Sequence, residues 1–216
     1  GVTSIGTYAF SYCSGLIDIS VSEANMAYRS INGVLFNKDT SLLIQYPRGR
    51  EGAYSIPDGV TDIGSNAFSD CAGLTSATIP DSVTNISNVA FSGCTNLTGV
   101  VIGSGVTSIG HGAFFGCTGL TGVEIGSGVT SIGSQAFYGC SQIKDVIYNA
   151  NISSFSASDA FYDSYRSWTN LVIGGTVTNI GDWAFYGCIG LTGVEIGNGV
   201  TSIGTYAFSY CSGLID

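Results

Sequence analysis

Seven cysteines and one histidine are the residues of this 216-residue chain that could carry chemistry. Thiolates and imidazoles bind zinc, and a cysteine or serine next to a histidine can act as a nucleophile. The chain has no Cys-x-x-Cys pair, and His111 lies in a degenerate turn between two glycines. A single histidine cannot complete a zinc site here, and no Gly-x-Ser-x-Gly motif is present. The sequence therefore predicts no metal, no cofactor and no catalysis.

The charge balance excludes other classes of protein. Six basic and 15 acidic residues give a net charge of −9. Because a nucleic-acid binder needs a basic face to replace counterions on phosphates, nucleic acid is not an expected partner. No apolar run approaches the roughly 18 to 20 residues of a membrane helix, so we expect no membrane insertion in this segment.

The main signal is an internal repeat. The dipeptide Ala-Phe recurs along the whole chain, and from Phe68 onward the interval is 23 or 24 residues. The phenylalanines of this column are Phe10, Phe68, Phe91, Phe114, Phe137, Phe161, Phe185 and Phe208. Valine, isoleucine, leucine and cysteine columns keep the same phase, and Ser164 stands where one cysteine is missing. A fixed period with several apolar columns predicts a solenoid whose stacked coils share one core.

Each coil is predicted to contain two short extended pieces and a turn. In the segment 74–79, apolar Leu74, Ala77 and Ile79 alternate with polar residues, which indicates a half-buried strand. We expect the glycines of Gly-Ser-Gly at 103–105 and 126–128 to adopt positive φ in tight turns. The cysteine column is interpreted as buried thiols, because equivalent residues of stacked strands have nearly parallel Cβ vectors, a poor disulfide geometry.

The chain is predicted to be one repeat domain, residues 1–216, with two irregular stretches. Residues 25–57 are expected to form an elaborated repeat containing a β-hairpin with the five-residue loop 37–41. Residues 141–170 form a degenerate repeat. Residues 1–18 and 199–216 are identical. Neither end carries a polar cap, so we expect a slice of a longer array that is prone to end-to-end self-association.

Two surface columns are candidates for partner binding. An aromatic column follows the core phenylalanines, and exposed aromatic residues favour binding surfaces. It contains Phe115, Tyr138, Tyr162 and Tyr186, with Trp183 and also Tyr165 and Trp168 expected nearby. The outward face of the longer strands is the second candidate, and its charged residues are Glu124, Lys144, Asp145 and Glu195. Both columns could equally be solvated or stiffening residues without a ligand.

The repeats resemble the BspA-type leucine-rich repeat of bacterial and protist surface proteins. The pattern L-x-x-V-x-I-P-x-x-V-T-x-I-G-x-x-A-F-x-x-C is seen in residues 74–94 and 120–140. The segments 32–39, 46–47 and 56–60 resemble a variant unit of that family. This resemblance implies a right-handed, curved solenoid with a parallel sheet on its concave face and few or no long helices. It also implies an extracellular or cell-surface location and a role in adhesion.

The function expected from these observations is a repeat scaffold that binds a protein or a glycan and has no catalytic activity. A passive stalk that spaces another domain from a surface is the alternative. A host extracellular-matrix or surface protein would be a suitable partner for the binding scaffold.

Overall fold

In the computed structural model, which describes residues 1–6 and 8–215, the chain is a β-solenoid of about seven turns with almost no helix. The predicted fold class is therefore confirmed. In chain order the described elements are β1 (Tyr28–Ile31), β2 (Val34–Asn37), β3 (Leu42–Gln45), β4 (Gly52–Ser55), β5 (Asp62–Ile63), β6 (Leu74–Ile79), β7 (Asn85–Ile86), β8 (Gly99–Ile102), β9 (Ser108–Ile109), β10 (Gly122–Ile125), β11 (Ser131–Ile132), β12 (Asp145–Tyr148), α1 (Ala157–Ala160), a 3-10 helix (Ser164–Ser167), β13 (Asn170–Ile173), β14 (Asn179–Ile180), β15 (Gly193–Ile196) and β16 (Ser202–Ile203).

Two columns of parallel strands follow the solenoid axis. The longer strands pair in the orders β4-β6-β8 and β10-β12-β13-β15, and the two-residue strands pair as β3-β5-β7-β9-β11 and β14-β16. The register is that of the sequence columns, since Ile63, Ile86, Ile109 and Ile132 are direct partners across successive coils. In β6, Leu74, Ala77 and Ile79 are buried, as the alternating pattern predicts.

The phenylalanine column forms a continuous stack in the middle of the chain. The ring centroids are 4.5 Å apart for Phe68 and Phe91, 5.1 Å for Phe91 and Phe114, and 5.1 Å for Phe114 and Phe137. All of these rings are fully buried, and neighbouring planes differ by less than 10°. Stacked aromatic rings thus hold successive coils in register at about the spacing of adjacent strands.

Buried cysteines form a second ladder. The Sγ of Cys94, Cys117 and Cys140 each donates to the backbone oxygen of the phenylalanine in the preceding coil at 3.1 Å. Ser164 makes the same bond to the oxygen of Phe137 at 3.0 Å, so its hydroxyl replaces the missing thiol. All seven cysteines are free, and six are buried as predicted, but Cys13 in the first coil is exposed.

The core stack extends to Phe161, whose ring lies 4.4 Å from that of Phe137, and it is interrupted after Phe161 within the irregular residues 141–170. Here α1 and the 3-10 helix replace the regular turn, and the ring of Phe161 meets Trp168 edge-on at 4.7 Å. Phe185, one coil further on, packs instead against Tyr148 and Phe155. Tyr165 and Trp168, which the sequence places near the aromatic column, are not part of the exposed surface. Both are buried because they fill the core space that the irregular coil leaves.

The stretch 25–57 contains antiparallel strands. β2 pairs with β3 in the expected hairpin, although Asn37 belongs to β2 and the connection is the four residues 38–41. A further hairpin joins β1 to β2 through Asn32 and Gly33, whose φ angles are 49° and 74°. β3 then joins the parallel column through Leu43 and Ile63, so the hairpins continue one sheet of the solenoid.

The glycines of the Gly-Ser-Gly turns do not have the predicted positive φ. Gly103, Gly105, Gly126 and Gly128 lie outside the left-handed region. A Cβ on Gly103 would lie 2.5 Å from the Pro80 oxygen, and one on Gly128 would lie 2.7 Å from the Ser104 oxygen. Glycine is needed at these positions because neighbouring coils approach closely, whereas a Cβ on Gly126 would meet open space.

Candidate functional site

An aromatic stack, formed by Phe115, Tyr138 and Tyr162, lies on the surface above the core phenylalanines. The ring centroids of Phe115 and Tyr138 are 4.7 Å apart, and those of Tyr138 and Tyr162 are 5.5 Å apart. The ring planes differ by 8° and 7°. Phe115 is 39% exposed and Tyr162 is 54% exposed. Each side chain follows a core phenylalanine, so the repeat that stacks the core also stacks this surface row.

Tyr186 and Trp183 belong to a different group, the C-terminal aromatic cluster of Trp183, Tyr186, Tyr206 and Tyr210. The ring of Trp183 lies 5.0 Å from Tyr186 and 4.5 Å from Tyr206, and Tyr186 lies 5.1 Å from Tyr210. The expected four-member column is therefore divided after Tyr162. The division falls where the irregular turn of residues 157–167 also interrupts the core stack.

Tyr206 and Tyr210 are members of this cluster that the sequence analysis does not predict. Both are exposed, at 54% and 73%. The sequence contains a signal for Tyr206, because it occupies the same position before Ala-Phe as Trp183. The backbone at this position has a positive φ, 59° at Trp183 and 57° at Tyr206. This conformation recurs at Val89 and Gln135, so the position is a fixed feature of the coil.

The outward face of the longer strands, called the strand face below, has the register expected from the repeat. Glu124, Ile147, Val172 and Glu195 align across β10, β12, β13 and β15. Asp145 lies in the parallel row beside Asn170. The strand face therefore brings Glu124, Asp145 and Glu195 onto one surface, with an apolar strip between the two glutamates.

Three of the four charged side chains on the strand face form hydrogen bonds within the molecule. The Asn149 Nδ2 donates to Glu124 Oε1 at 2.9 Å, and the Asn170 Nδ2 donates to Asp145 Oδ1 at 2.6 Å. The Lys144 Nζ donates to the Ser167 backbone oxygen at 3.1 Å. Glu195 is exposed, and no side chain among the described residues donates a hydrogen bond to it. The net character of this surface is acidic.

The described residues hold no group of three or more histidine, cysteine, aspartate or glutamate side chains that could bind a metal ion. His111 is exposed, and its Nδ1 lies 3.0 Å from the Ser134 Oγ. Burial raises the pKa of the Cys71 thiol to about 12. A hydrogen bond with Cys117, and burial, also raise the pKa of Cys140. Because the thiolate is the reactive form, these thiols are structural.

Comparison with solved structures finds several repeat proteins of the same fold. A leucine-rich cell surface protein from Faecalibacterium prausnitzii A2-165 is 33% identical, with a TM-score of 0.62, over 90% of this chain and 45% of that one. A T. pallidum leucine-rich repeat protein is 27% identical, with a TM-score of 0.61, over 90% and 91%. The pneumococcal vaccine antigen PcpA is 19% identical, with a TM-score of 0.61, over 87% and 38%, which shows the fold alone.

The chain thus spans less than half the length of the Faecalibacterium and pneumococcal proteins that it matches. A comparison with curated protein sequences gave no significant match. Along the part of the chain that the structure describes, none of the helices has the length and apolarity needed to cross a bilayer.

Coil length, stacked apolar ladders and parallel strands define the class of leucine-rich-repeat solenoids. The model of the BspA-type leucine-rich repeat region matches six copies, over residues 1–46, 52–167 and 157–216. The chain belongs to the BspA-type leucine-rich repeat family, which confirms the resemblance drawn from its motifs.

Proposed function

We propose that this chain is a non-catalytic scaffold, extracellular or on a cell surface, that binds a protein partner through its aromatic stack. The supporting observation is the surface row of Phe115, Tyr138 and Tyr162, whose two outer members are exposed and whose ring centroids lie 4.7 and 5.5 Å apart. Because mutual stacking already orders these side chains, a partner that covers them loses little side-chain entropy on binding. Aromatic residues are also enriched where protein interfaces gain most of their binding free energy.

The stacking geometry favours a protein over a glycan. Sugars bind aromatic side chains against the open face of the ring. Within the stack, the ring faces of Tyr138 are covered by Phe115 and Tyr162, whose planes are nearly parallel to its own. The exposed parts are the ring edges, which suit contact with apolar and polar side chains of a protein. A glycan would find an open face only at the two ends of the stack.

The strand face is a predicted second contact. Its charged residues are Glu124, Lys144, Asp145 and Glu195. Since the exposed apolar side chains of Val101 and Ile147 lie among these charges, a partner with apolar and basic side chains would complement it. Net charge complementarity of this kind mainly raises the association rate, and the effect weakens with added salt.

The proposed location rests on the family and on one relative. The 33%-identical Faecalibacterium protein is described as a cell surface protein. Its likeness extends over 90% of the present chain, so we propose the same setting here. A host extracellular-matrix or surface protein is the proposed kind of partner.

Binding of the full chain to an immobilised extracellular-matrix extract tests the proposal. We expect saturable binding that is lost in the triple variant Phe115→Ser, Tyr138→Ser, Tyr162→Ser, which removes all three rings of the aromatic stack. The matched control is Tyr8→Ser with Tyr12→Ser, which removes two tyrosines that are 68% and 90% exposed but lie outside the stack. Circular dichroism should show that all three proteins are folded.

Three outcomes would contradict the proposal. Equal binding by the wild type and the triple variant would remove the aromatic stack from the interface. Absence of saturable binding by the wild type would favour the passive stalk. Binding that is abolished by glycosidase treatment of the extract would instead identify a glycan as the ligand.

A further inference from the structure

The turn of the first coil, called the first turn here and described at residues 6 and 8–13, has the internal form of a regular turn. Its Ala9 amide donates to the Gly6 oxygen at 3.2 Å. Tyr8 has a positive φ of 63°, close to the 51° of Val89 at the equivalent position of a regular turn. The backbone of the first turn is therefore shaped to make the bonds that join one regular coil to the next.

Regular turns are joined to the following coil by a row of backbone amides. The Phe91 and Gly93 amides, for example, each donate to an oxygen of the following coil at 2.7 Å. In the first turn the corresponding amide row belongs to Tyr8, Phe10 and Tyr12. Among the residues that the structure describes, none of these three amides has an acceptor. Because regular turns use this row toward the following coil, the missing bonds do not depend on what precedes the first coil.

The second coil, which contains β3, is too short to form a regular turn. Two residues separate Leu43 from Tyr46, whereas four separate their counterparts Ile63 and Phe68 in the third coil. Leu43 pairs directly with Ile63, and the Tyr46 ring stacks 5.0 Å from that of Phe68. The two coils are thus aligned on both sides of the shortened segment, and the second coil leaves a gap beside the first turn.

This gap is a cleft of about 300 Å³, a volume at the lower end of the range for ligand pockets. Its walls are the first turn and residues 65–70 of the third coil, with Gln45 and Arg48 of the second coil also lining it. The Arg48 Nε donates to the Ser69 oxygen at 2.8 Å, and the Arg48 guanidinium carbon lies 5.8 Å from the centroid of the Tyr12 ring. The Arg48 side chain, only 9% exposed, therefore contacts both walls.

Side chains of the second coil replace the missing backbone donors on one wall only. The Gln45 Nε2 donates to the Ala67 oxygen at 3.3 Å, and Arg48 bonds the next acceptor along that wall. The Ser65 oxygen, whose counterparts accept an amide in regular turns, receives no hydrogen bond from the described part of the chain. The cleft thus has free donors on the first turn and a free acceptor on the opposite wall.

We infer that this cleft binds a short peptide segment of another protein through the main chain of that peptide. Because a peptide backbone alternates carbonyl and amide groups, one segment can accept from the amide row and donate to the Ser65 oxygen. The turn of a regular coil bonds its two neighbouring coils in the same way. Other peptide-binding domains also gain affinity from main-chain hydrogen bonds to an exposed backbone edge.

The charges and the backbone of the cleft both favour a peptide over a free anion. Arg48 is paired with the Asp70 carboxylate, which lines the same cleft, so an anion would meet a negative charge and a cation that is already neutralised. A neutral main chain meets no such repulsion. Since the first turn already fixes the amide row, binding requires little ordering of the protein.

Peptides selected from a phage-displayed library of random linear sequences, panned against the full chain, are the probes that test this inference. Amide hydrogen exchange, measured by NMR with and without a synthetic selected peptide, reports on the site directly. We expect exchange at Tyr8, Phe10 and Tyr12 to slow by about tenfold or more, because each amide gains an acceptor. Tyr210 is the internal control, since it repeats the local sequence of Tyr12 but does not line the cleft, and its exchange should not change.

The variant Ser69→Tyr tests the location of the peptide. Ser69 lines the cleft, and tyrosine is compatible with the turn because Tyr138 occupies the equivalent position. The added ring narrows the cleft, so peptide affinity should fall by about tenfold or more. Ser92→Tyr is the matched control, because it adds the same ring one coil further on and outside the cleft, and it should bind like the wild type. Circular dichroism should show that both variants are folded.

Four results would overturn the inference: no peptide selected by the wild type, unchanged exchange of the amide row in its presence, equal affinity of the wild type and Ser69→Tyr, or protection by sodium phosphate alone, which would identify an anion site. The exchange measurement uses the wild type and decides the question even if Ser69→Tyr does not fold. None of these readouts involves the aromatic stack or an extracellular-matrix extract, so failure here would leave the proposed function standing, and the reverse also holds.

Discussion

Gly126 and Gly128 occupy one turn, yet alanine should have opposite effects at the two positions. Neither glycine has a positive φ, so the backbone accepts alanine at both. A Cβ on Gly126 meets nothing within 4 Å, whereas a Cβ on Gly128 would lie 2.7 Å from the Ser104 oxygen and 3.3 Å from the Val106 oxygen. The comparison therefore separates close coil packing from turn conformation as the reason for glycine.

The magnitude follows from the distance that must be gained. Ordinary contact for a Cβ begins near 3.4 Å, so Gly128→Ala must move one coil by about 0.7 Å relative to the Ser104 oxygen. The neighbouring bond from the Thr130 amide to the Thr107 oxygen, 2.8 Å long, would be strained by that shift. Overpacking of this kind costs about 1–3 kcal/mol. Gly126→Ala should instead stabilise by about 0.4–1 kcal/mol, because alanine restricts the unfolded chain.

Urea unfolding followed by circular dichroism, with both variants and the wild type under the same conditions, measures the difference. We expect the midpoint to rise for Gly126→Ala and to fall for Gly128→Ala, with free energies of unfolding that differ by about 1.5–4 kcal/mol. Equal midpoints for the two variants would refute the argument that coil spacing requires glycine at position 128. A fall for both variants would show that the turn conformation itself requires it.

Three further predictions concern the coil interior. Val89 is a β-branched residue with φ of 51°, and Gly112 holds the equivalent position of the next coil with φ of 56°. Val89→Gly should therefore raise the free energy of unfolding in urea by about 1 kcal/mol, because glycine adopts positive φ without strain. An unchanged or lower urea midpoint would contradict this. The Cys117 thiol donates a hydrogen bond to the Phe91 oxygen, and Ser164 makes the equivalent bond to the Phe137 oxygen through its hydroxyl. Cys117→Ser should therefore be more stable than Cys117→Ala by about 1 kcal/mol in thermal unfolding, because serine keeps this bond. The reverse order of stability would exclude that role for the thiol. Burial raises the pKa of Tyr54 to about 12. Tyr54 therefore ionises first in the unfolded chain, and the free energy of unfolding should fall between about pH 10 and 12. In urea titrations Tyr54→Phe should lose less stability over that range than the wild type, and identical pH profiles would count against the argument.

The periodic part of the fold was predictable from the sequence, and residues 74–79 show why. Their alternation of apolar and polar side chains indicates a strand, and the interval of 23 or 24 residues places the next strand beside it. The stack of Phe91, Phe114 and Phe137 follows from the same interval. Residues that share a column in a solenoid are spatial neighbours, so sequence spacing alone determines their contacts.

The candidate site was predictable only in part. Phe115, Tyr138 and Tyr162 form the expected row, but Tyr186 packs with Trp183 and Tyr210 instead. Trp168, expected near the aromatic column, is fully buried. These outcomes depend on how the irregular residues 141–170 fill the space between two regular coils. Tyr165 and Trp168 belong to no column of the repeat, so the sequence pattern contained no information about where they pack.

The sequence by itself determined the solenoid, its repeat length, the apolar columns and the family, because these properties depend on local spacing repeated along the chain. The tertiary structure decided which glycines are required by contact between coils, where the aromatic row is divided, and which bonds the buried thiols make. Those properties depend on distances between atoms of different coils. Such distances are set by the packing of whole side chains and by the one place where the repeat is irregular.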